Sequence, residues 1–540
     1  VNNRVISQHD TATAQPRPAG RYLWLLSVAG AMLLLSALVM NFAGWVANMI
    51  RAVTFPHQLD YGEGIVWQQA IMIMRGEGYG DINDVPHIIF HYPPVFHVTA
   101  ELVASWLGVD GLAAGRLVSV LSAFGSAALI GYLAWLAAAR SCGTLSRSLA
   151  SVSAGLFTFA FMPIAYWSAL YRVDNLAMFL TLAGVSLGLF ARGRLPWVLL
   201  SSLFLVLAVF TKQTMIAGPL ALYLTLALRD WRSAVAGLAS SVALGLLLLL
   251  ALHLHTQGGF LRNVVSYNVN RLDLENLTMV STVLKYHLMF IVIPVAWLLL
   301  TVLSPGASPA AQETSSATQV RVRSRLATAE LFAVSYLLIC TLLLPLVLKS
   351  GAAFNYLIEW MNSLSIILGI ALAPYMGFLV YSLASSSPVA PLNKTKVVTG
   401  ALVTISLALQ VAIAAPQTAL FGGKGEKWLA EQRLLSELIA SARQHVISDD
   451  MVSLLRSSKG IYLEPAIVAE LSALGRFDEK PVLAQVGRRE FSMIVAEGRN
   501  DGLQFRARYT PAMREAILRY YPVERELAGY TVHLPPGAPH

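Results

Sequence analysis

Apolar runs of bilayer length recur along this chain. A helix needs about 20 apolar residues to cross the hydrocarbon core. Eleven candidate runs lie near 22–49, 113–139, 148–170, 174–191, 195–211, 213–228, 232–254, 280–303, 329–348, 357–382 and 397–415. Only 13% of the 540 residues are charged, about half the share usual in soluble proteins. A disordered chain is excluded and a soluble enzyme is disfavoured, so the expected class is a helical integral membrane protein. The first run follows a polar tail (1–21). It is too long for a signal-peptide core and lacks a small-residue cleavage site, so it is expected to be retained as a helix.

Orientation follows from the loops. With the N-terminus in the cytoplasm, the short inside loops carry Arg140 and Arg147, Arg192 and Arg194, Arg229 and Arg232, Arg321, Arg323 and Arg325, and Lys394 and Lys396. Every one is basic, as the positive-inside rule requires. That bias also accounts for the net charge of +9 without invoking nucleic acid, for which no basic stripe with interleaved aromatics is present. The segment 93–108 is short and carries His97 and Glu101. It is placed flat on, or dipping into, the outer leaflet, because a crossing there would reverse the rule at Arg140 and Arg147. The expected organisation is therefore a cytoplasmic tail (1–21) and a transmembrane domain (22–415) with an outer loop at 50–112 and a flexible cytoplasmic linker at 304–328. A small extracytoplasmic α/β domain (416–540) follows, opening on an amphipathic helix at 428–443. Cys142 falls in a cytoplasmic loop and Cys340 within a span, so no disulfide is expected between them.

The polar residues of the spans concentrate where helices meet the outer face. Asp60-Tyr-Gly-Glu63 precedes an amphipathic stretch at 65–75 and then His91-Tyr92-Pro93-Pro94. Asp60 and Glu63 read either as a helix cap with an acidic first turn or as a general base beside a helix N-terminus. Tyr171-Arg172-Val173-Asp174 opens another span; its charges either neutralise each other or serve a site. Lys212-Gln213-Thr214 lies between two apolar runs. Lys349 precedes Asn355-Tyr356 and Glu359, which lies about one turn into an apolar helix, where an ionisable group is a functional candidate by default. The plainer reading of Glu359 is a salt bridge to Lys349 or Lys212. Acids to activate a nucleophile and cations to hold an anionic leaving group thus converge at one level. His57, His91 and His97 share one loop, but no HExxH or Cys/His cluster exists. No cofactor is expected, although a divalent cation stays open. No P-loop or dinucleotide-binding glycine pattern is present.

These residues resemble the GT-C fold glycosyltransferases that use polyprenyl-phosphate sugars, among them protein mannosyltransferases, aminoarabinose transferases of lipid A and bacterial family 39- and 83-like proteins. Asp60 and Glu63 look like that family's acidic motif in the first outer loop. Tyr92-Pro93-Pro94 looks like its Pro-Pro segment, and Tyr171-Arg172-Val173-Asp174 like its second acidic site. Lys212-Gln213-Thr214 and Asn355-Tyr356…Glu359 are similar to segments of the bacterial members. The likeness covers roughly 20–380 and fades in the tail. One departure stands out: the family acids are adjacent, whereas two residues separate them here. Counting back from Arg75-Gly76 puts Glu63 on the family Glu and Gly62 on its Asp.

The resemblance implies a sugar carried on a polyprenyl phosphate and transferred, with inversion, to a hydroxyl of a glycan, lipid or protein. It implies Asp60 (or Glu63) as base, Asp174 orienting the sugar or the base, and Lys212, Lys349, Arg172 or Arg271 on the phosphate. The loop 255–279, with Tyr267, Asn268, Arg271 and Asp273, would cover the site, and the tail domain would bind the acceptor. His91, Tyr92, Gln213, Asn355, Tyr356 and Glu359 complete the expected substrate contacts. A prokaryotic inner membrane is the expected location. The rivals are a polysaccharide polymerase using a lipid-linked oligosaccharide, a lipid-linked glycan transporter, and a membrane scaffold without catalysis.

Overall fold

A computed structural model describes residues 18–138, 142–191, 193–268, 271–303, 327–384, 394–414 and 419–537. The tail before 18, most of the 304–328 linker, and Arg140, Arg192, Arg321, Arg323 and Arg325 lie outside the described residues. Helix α1 (Pro18–Thr54) leads to the loop that carries Asp60. Helices α2 (Gly62–Met74) and α3 (Val95–Leu107) follow, and α4 (Gly111–Ala137) then runs back the way α1 came. The bundle continues through α5 (Thr144–Thr158), α6 (Met162–Trp167), α7 (Asp174–Phe190), α8 (Leu195–Val209), α9 (Ala217–Arg229) and α10 (Trp231–His255). After a short turn, α11 (Gly259–Leu261), come α12 (Asn276–Tyr286), α13 (Leu288–Leu303), α14 (Thr328–Leu342), α15 (Ile358–Ala384) and α16 (Lys394–Ala414).

Each of the eleven apolar runs coincides with a helix or a pair of helices, but their lengths differ. Among the described residues, six helical segments are long and apolar enough to cross a bilayer, and a seventh counts if α12 and α13, bent by 79°, form one span. Helices α7, α8 and α9 are shorter; the 13 residues of α9 rise only about 20 Å at 1.5 Å per residue, against a core of about 30 Å. The run at 148–170 is broken at Phe159–Phe161 between α5 and α6. Helix α15 is buried along most of its length, with Leu364, Ile366, Ile367 and Leu368 inaccessible, and forms the bundle's axis. Helix α10 faces outward with Leu246, Leu247, Leu250 and Leu254 exposed, a surface that suits lipid rather than water.

The C-terminal portion is a small α/β unit. Helix α17 (Glu426–Ser441) leads into a four-stranded sheet of order β1-β2-β4-β3. β1 (His445–Ser448) pairs parallel with β2 (Phe491–Glu497), while β3 (Val523–Leu527) and β4 (Tyr530–Leu534) form an antiparallel hairpin against β2. Helices α18 (Met451–Arg456), α19 (Pro465–Ala473), α20 (Lys480–Gly487), α21 (Leu503–Arg508) and α22 (Pro511–Tyr520) connect and cover it. The unit docks on α2: Gln58 donates to the Asp449 carbonyl at 2.9 Å, and its Oε1 accepts from Met451 N at 3.1 Å. A Cβ on Gly64 would meet the Met451 Cβ at 2.5 Å, so the close approach requires glycine there.

Under this junction lies a buried ion pair. Glu63, in the first turn of α2, and Arg116, in α4, are both 0% exposed. Glu63 accepts from Arg116 Nε at 2.8 Å and Nη2 at 2.7 Å, and from the backbone of Tyr171 and Leu59. Arg116 donates in turn to the carbonyls of Ala52, Phe55 and His57. Burial alone would raise the Glu63 carboxyl, but Arg116 and the two backbone donors outweigh it and hold it below the usual range. Removing one partner of such a pair strands the other charge, at a cost of about 3–5 kcal/mol. Arg116→Ala and Glu63→Ala should therefore each lower the thermal unfolding temperature in detergent markedly, and the double variant should cost less than the sum of the two.

Candidate active site

At the end of the bundle where α1 and α14 finish lies a cavity of about 530 Å³. Eight of the expected site residues border it: His91, Tyr92, Arg172, Lys212, Gln213, Lys349, Asn355 and Tyr356. Asp60, Glu63, Asp174, Tyr267, Arg271 and Glu359 do not.

Local structure explains each placement. Arg172 sits in the turn before α7 and reaches over α2, where its Nε and Nη2 both donate to Asp60 Oδ2, at 3.1 and 2.5 Å. The same oxygen accepts from Gly62 N at 2.9 Å. Arg172 therefore pairs with Asp60 rather than Asp174. A Cβ on Gly62 would overlap the Arg172 guanidinium, so the absence of a side chain there is what lets the arginine lie against the helix. Asp60, 18% exposed, acts on the cavity through Arg172. Glu63 is sealed beneath it by Arg116.

Lys212 lies in the turn between α8 and α9. It does not snorkel outward: it points inward, donating to Asp174 Oδ1 at 2.5 Å, with the Tyr356 ring 4.9 Å from its ammonium. Asn355 donates to the same Asp174 oxygen at 2.9 Å. Asp174 thus orients a cation and an amide at the cavity wall without facing the cavity. Gln213 donates to the His91 carbonyl at 3.0 Å and fixes the loop before α3. Lys349 donates to Asn268 at 2.7 Å. Burial draws its ammonium below the usual lysine range, opposed by Glu470 and reinforced by Lys212.

The loop at 255–279 covers one side, with Val264, Val265 and Asn268 on the wall. Tyr267 and Arg271 serve its anchorage instead: Tyr267 donates to Asp81, and Arg271 donates to the Ala473 carbonyl at 2.7 Å. Glu359 makes no salt bridge to Lys349 or Lys212. It accepts from Gly218 N at 3.1 Å and the Tyr336 hydroxyl at 3.3 Å, and it borders a small side recess shared with Lys212 and Tyr356.

The histidines do not cluster. His57 packs on Phe55 and Trp428, His91 borders the cavity, and His97 pairs with Gln69. Burial lowers the His91 imidazole to about 4, helped by Lys349, so it is neutral at physiological pH. Among the described residues no group of three or more His, Cys, Asp or Glu is placed to hold a metal.

Two groups of site residues were not anticipated. Arg116 carried a signal, a lone arginine just inside an apolar run. Glu464 and Glu470, which border the cavity from α19 and the residue before it, carried none.

The fold is that of a polytopic helical membrane protein with a small C-terminal α/β domain. No family model and no curated protein matches the sequence. ArnT from Cupriavidus metallidurans matches in structure with a TM-score of 0.56 in its apo state, at 13% identity over 92% of this chain and 97% of that one. The same protein bound to undecaprenyl phosphate matches equally well, at 14% identity over 93% and 98% of the two chains. The apo oligosaccharyltransferase from Archaeoglobus fulgidus matches with a TM-score of 0.50 at 13% identity, over 87% of this chain and 69% of that one. At these identities the likeness is one of fold.

Arg172 is a flexible side chain, so Gly62→Ala should cost little stability, within about 1 kcal/mol. The displaced guanidinium should nonetheless weaken binding of inorganic phosphate, a probe for the cationic cavity, several-fold. Isothermal titration alongside thermal unfolding would separate the two effects.

Proposed function

We propose that this protein is a membrane glycosyltransferase that moves a hexosyl or pentosyl unit from a polyprenyl-phosphate donor to an acceptor hydroxyl. The observation that carries the reading is the convergence of Arg172, Lys212 and Lys349 on one cavity at the bundle's end. When the bond from the anomeric carbon to phosphate breaks, the phosphate goes from one negative charge to about two. Fixed cations in a dry site stabilise charge where it develops. They are held by Asp60, Asp174 and Asn268 respectively, so little reorganisation is needed during the reaction.

Their number supports chemistry without a metal, and a single displacement by one hydroxyl would invert the anomeric centre. A cavity of about 530 Å³ falls in the range of small-molecule sites, which favours a monosaccharide donor over a long oligosaccharide. The fold neighbour bound to undecaprenyl phosphate supports a polyprenyl carrier. A transporter would be expected to place its polar groups near the midplane; here they gather at one end.

Charge supports an extracytoplasmic cavity: Arg147, Arg194, Arg229, Arg232, Lys394 and Lys396 lie at the helix ends away from it, the pattern the positive-inside rule expects of cytoplasmic ends. A prokaryotic inner membrane accords with this. The C-terminal unit, which supplies part of the cavity wall, would present the acceptor, whether glycan, lipid or protein.

Protein in nanodiscs should bind polyprenyl phosphate and consume one member of a panel of polyprenyl-phosphate monosaccharides, releasing the lipid phosphate. A charged hydrogen bond is worth about 1.5–3 kcal/mol, so Arg172→Ala and Lys349→Ala should each weaken lipid-phosphate binding by roughly 10- to 100-fold. Binding that is indifferent to both substitutions would refute the assignment of the phosphate site.

A further inference from the structure

The carboxylates around the cavity are not equivalent. Asp60, Glu63, Asp174 and Glu359 each hold a cation, an amide or a backbone donor, and none borders the main cavity. Glu464 does border it. It is only 8% exposed, and its Oε2 is buried with no hydrogen-bond partner among the described residues. A buried acceptor without a partner is costly, so such an atom marks a place where a donor is expected to arrive.

The backbone holds this side chain firmly. His87 and Leu463 form a parallel bridge between the first outer loop and the C-terminal unit. His87 N donates to the Tyr462 carbonyl at 2.9 Å, and Glu464 N donates to the His87 carbonyl at 3.1 Å. Immediately beyond, Pro465 starts α19, and Ala466 N donates to the Tyr61 hydroxyl at 3.3 Å. Glu464 is thus clamped on both sides and set in the cavity wall together with Arg172.

We propose that Glu464, from the C-terminal unit, is the general base that accepts the proton of the acceptor hydroxyl. This assignment rests on the glycosyl-transfer reading of the cavity. In the step, the acceptor O–H bond breaks and its proton passes to Glu464 Oε2. The oxygen forms a bond to the anomeric carbon as the bond from that carbon to the phosphate oxygen breaks. The electron pair stays on the phosphate, facing the cations. No oxidant or reductant is involved, and the proton leaves to water when product departs.

Electrostatics suits the role. Burial raises the Glu464 carboxyl to about 7; Arg172 and Arg508 pull it down, and Glu470 pushes it further up. The Tyr61 hydroxyl, which accepts from Ala466 N, and the His87 backbone, which accepts from Glu464 N, lie beside it. A base that titrates near the working pH combines a usable deprotonated fraction with real proton affinity. The assignment also gives the acceptor a location: it enters on the side of the C-terminal unit.

The test uses full-length protein in nanodiscs, with water as the acceptor and a panel of polyprenyl-phosphate monosaccharides as donors. Release of lipid phosphate is followed against pH for wild type, Glu464→Gln, Glu464→Ala and Asp60→Asn. Loss of a general base typically lowers the rate by about 10²- to 10⁴-fold. Glu464→Gln should show that loss in kcat with donor affinity within about twofold of wild type. The wild-type rate should rise with pH through about 7, and that limb should vanish in Glu464→Gln and persist in Asp60→Asn. Azide should restore part of the rate to Glu464→Ala, a readout that a structural role would not produce and that does not depend on the glutamine variant folding well. Full activity of Glu464→Gln, or loss of the pH limb in Asp60→Asn instead, overturns the assignment while leaving the transferase reading intact. Folded wild type that binds and consumes no donor overturns both.

Discussion

The Glu63–Arg116 pair is the interaction on which the site depends. Through it, the end of α1, the start of α2, the first turns of α4 and the turn before α7 share one fixed point. None of these elements is adjacent in sequence to all the others, and apolar packing alone does not set their rotation. A carboxylate with two arginine donors and two good backbone donors has only one satisfactory geometry. Once it is met, the chain on either side of Glu63 is placed: Asp60 faces Arg172, and Gly62 lies flat beneath it. A charge-rich cavity can therefore form at the edge of an apolar bundle.

The cavity divides its charges by origin. The cations come from turns between membrane helices, and each is held by its own polar partner. The carboxylates on the wall come from the C-terminal unit, which reaches the bundle through the His87 bridge and the stacking of Arg508 on Tyr61 at 3.8 Å. Arg508 is itself tied to Asp449 at 3.1 Å and Glu497 at 2.7 Å. The two halves are thus complementary, and neither holds a complete site. The cations belong to the membrane part, and the C-terminal unit adds the carboxylates Glu464 and Glu470 to the same wall.

Much of this was legible in the sequence, for identifiable reasons. Apolar runs and basic loops are one-dimensional signals, so the helical class and the clustering of Arg172, Lys212, Lys349 and Asn355 followed from where the runs end. Partner choice was not legible. Whether Arg172 binds Asp60 or its neighbour Asp174 depends on which way a turn rotates, and sequence proximity points only to Asp174. Glu359 has the position of an ion-pair member but is satisfied by a backbone amide and a tyrosine, which leave no pattern. Glu464 was invisible because its role comes from a bridge between segments almost 400 residues apart. The eleven runs also overstate bilayer-length helices, since apolar composition does not reveal where a helix breaks, as it does after Thr158 and at His287.

The position of Gly62 has a consequence for descent. The carboxylate that pairs with Arg172 comes from two residues upstream of Gly62, and the guanidinium lies where a side chain at 62 would stand. Any other residue at 62 would displace the arginine from this place. The three positions therefore form one steric and ionic unit. Among divergent homologues, glycine at 62, aspartate at 60 and arginine at 172 should appear or disappear together, and their joint presence would delimit the lineage better than overall similarity.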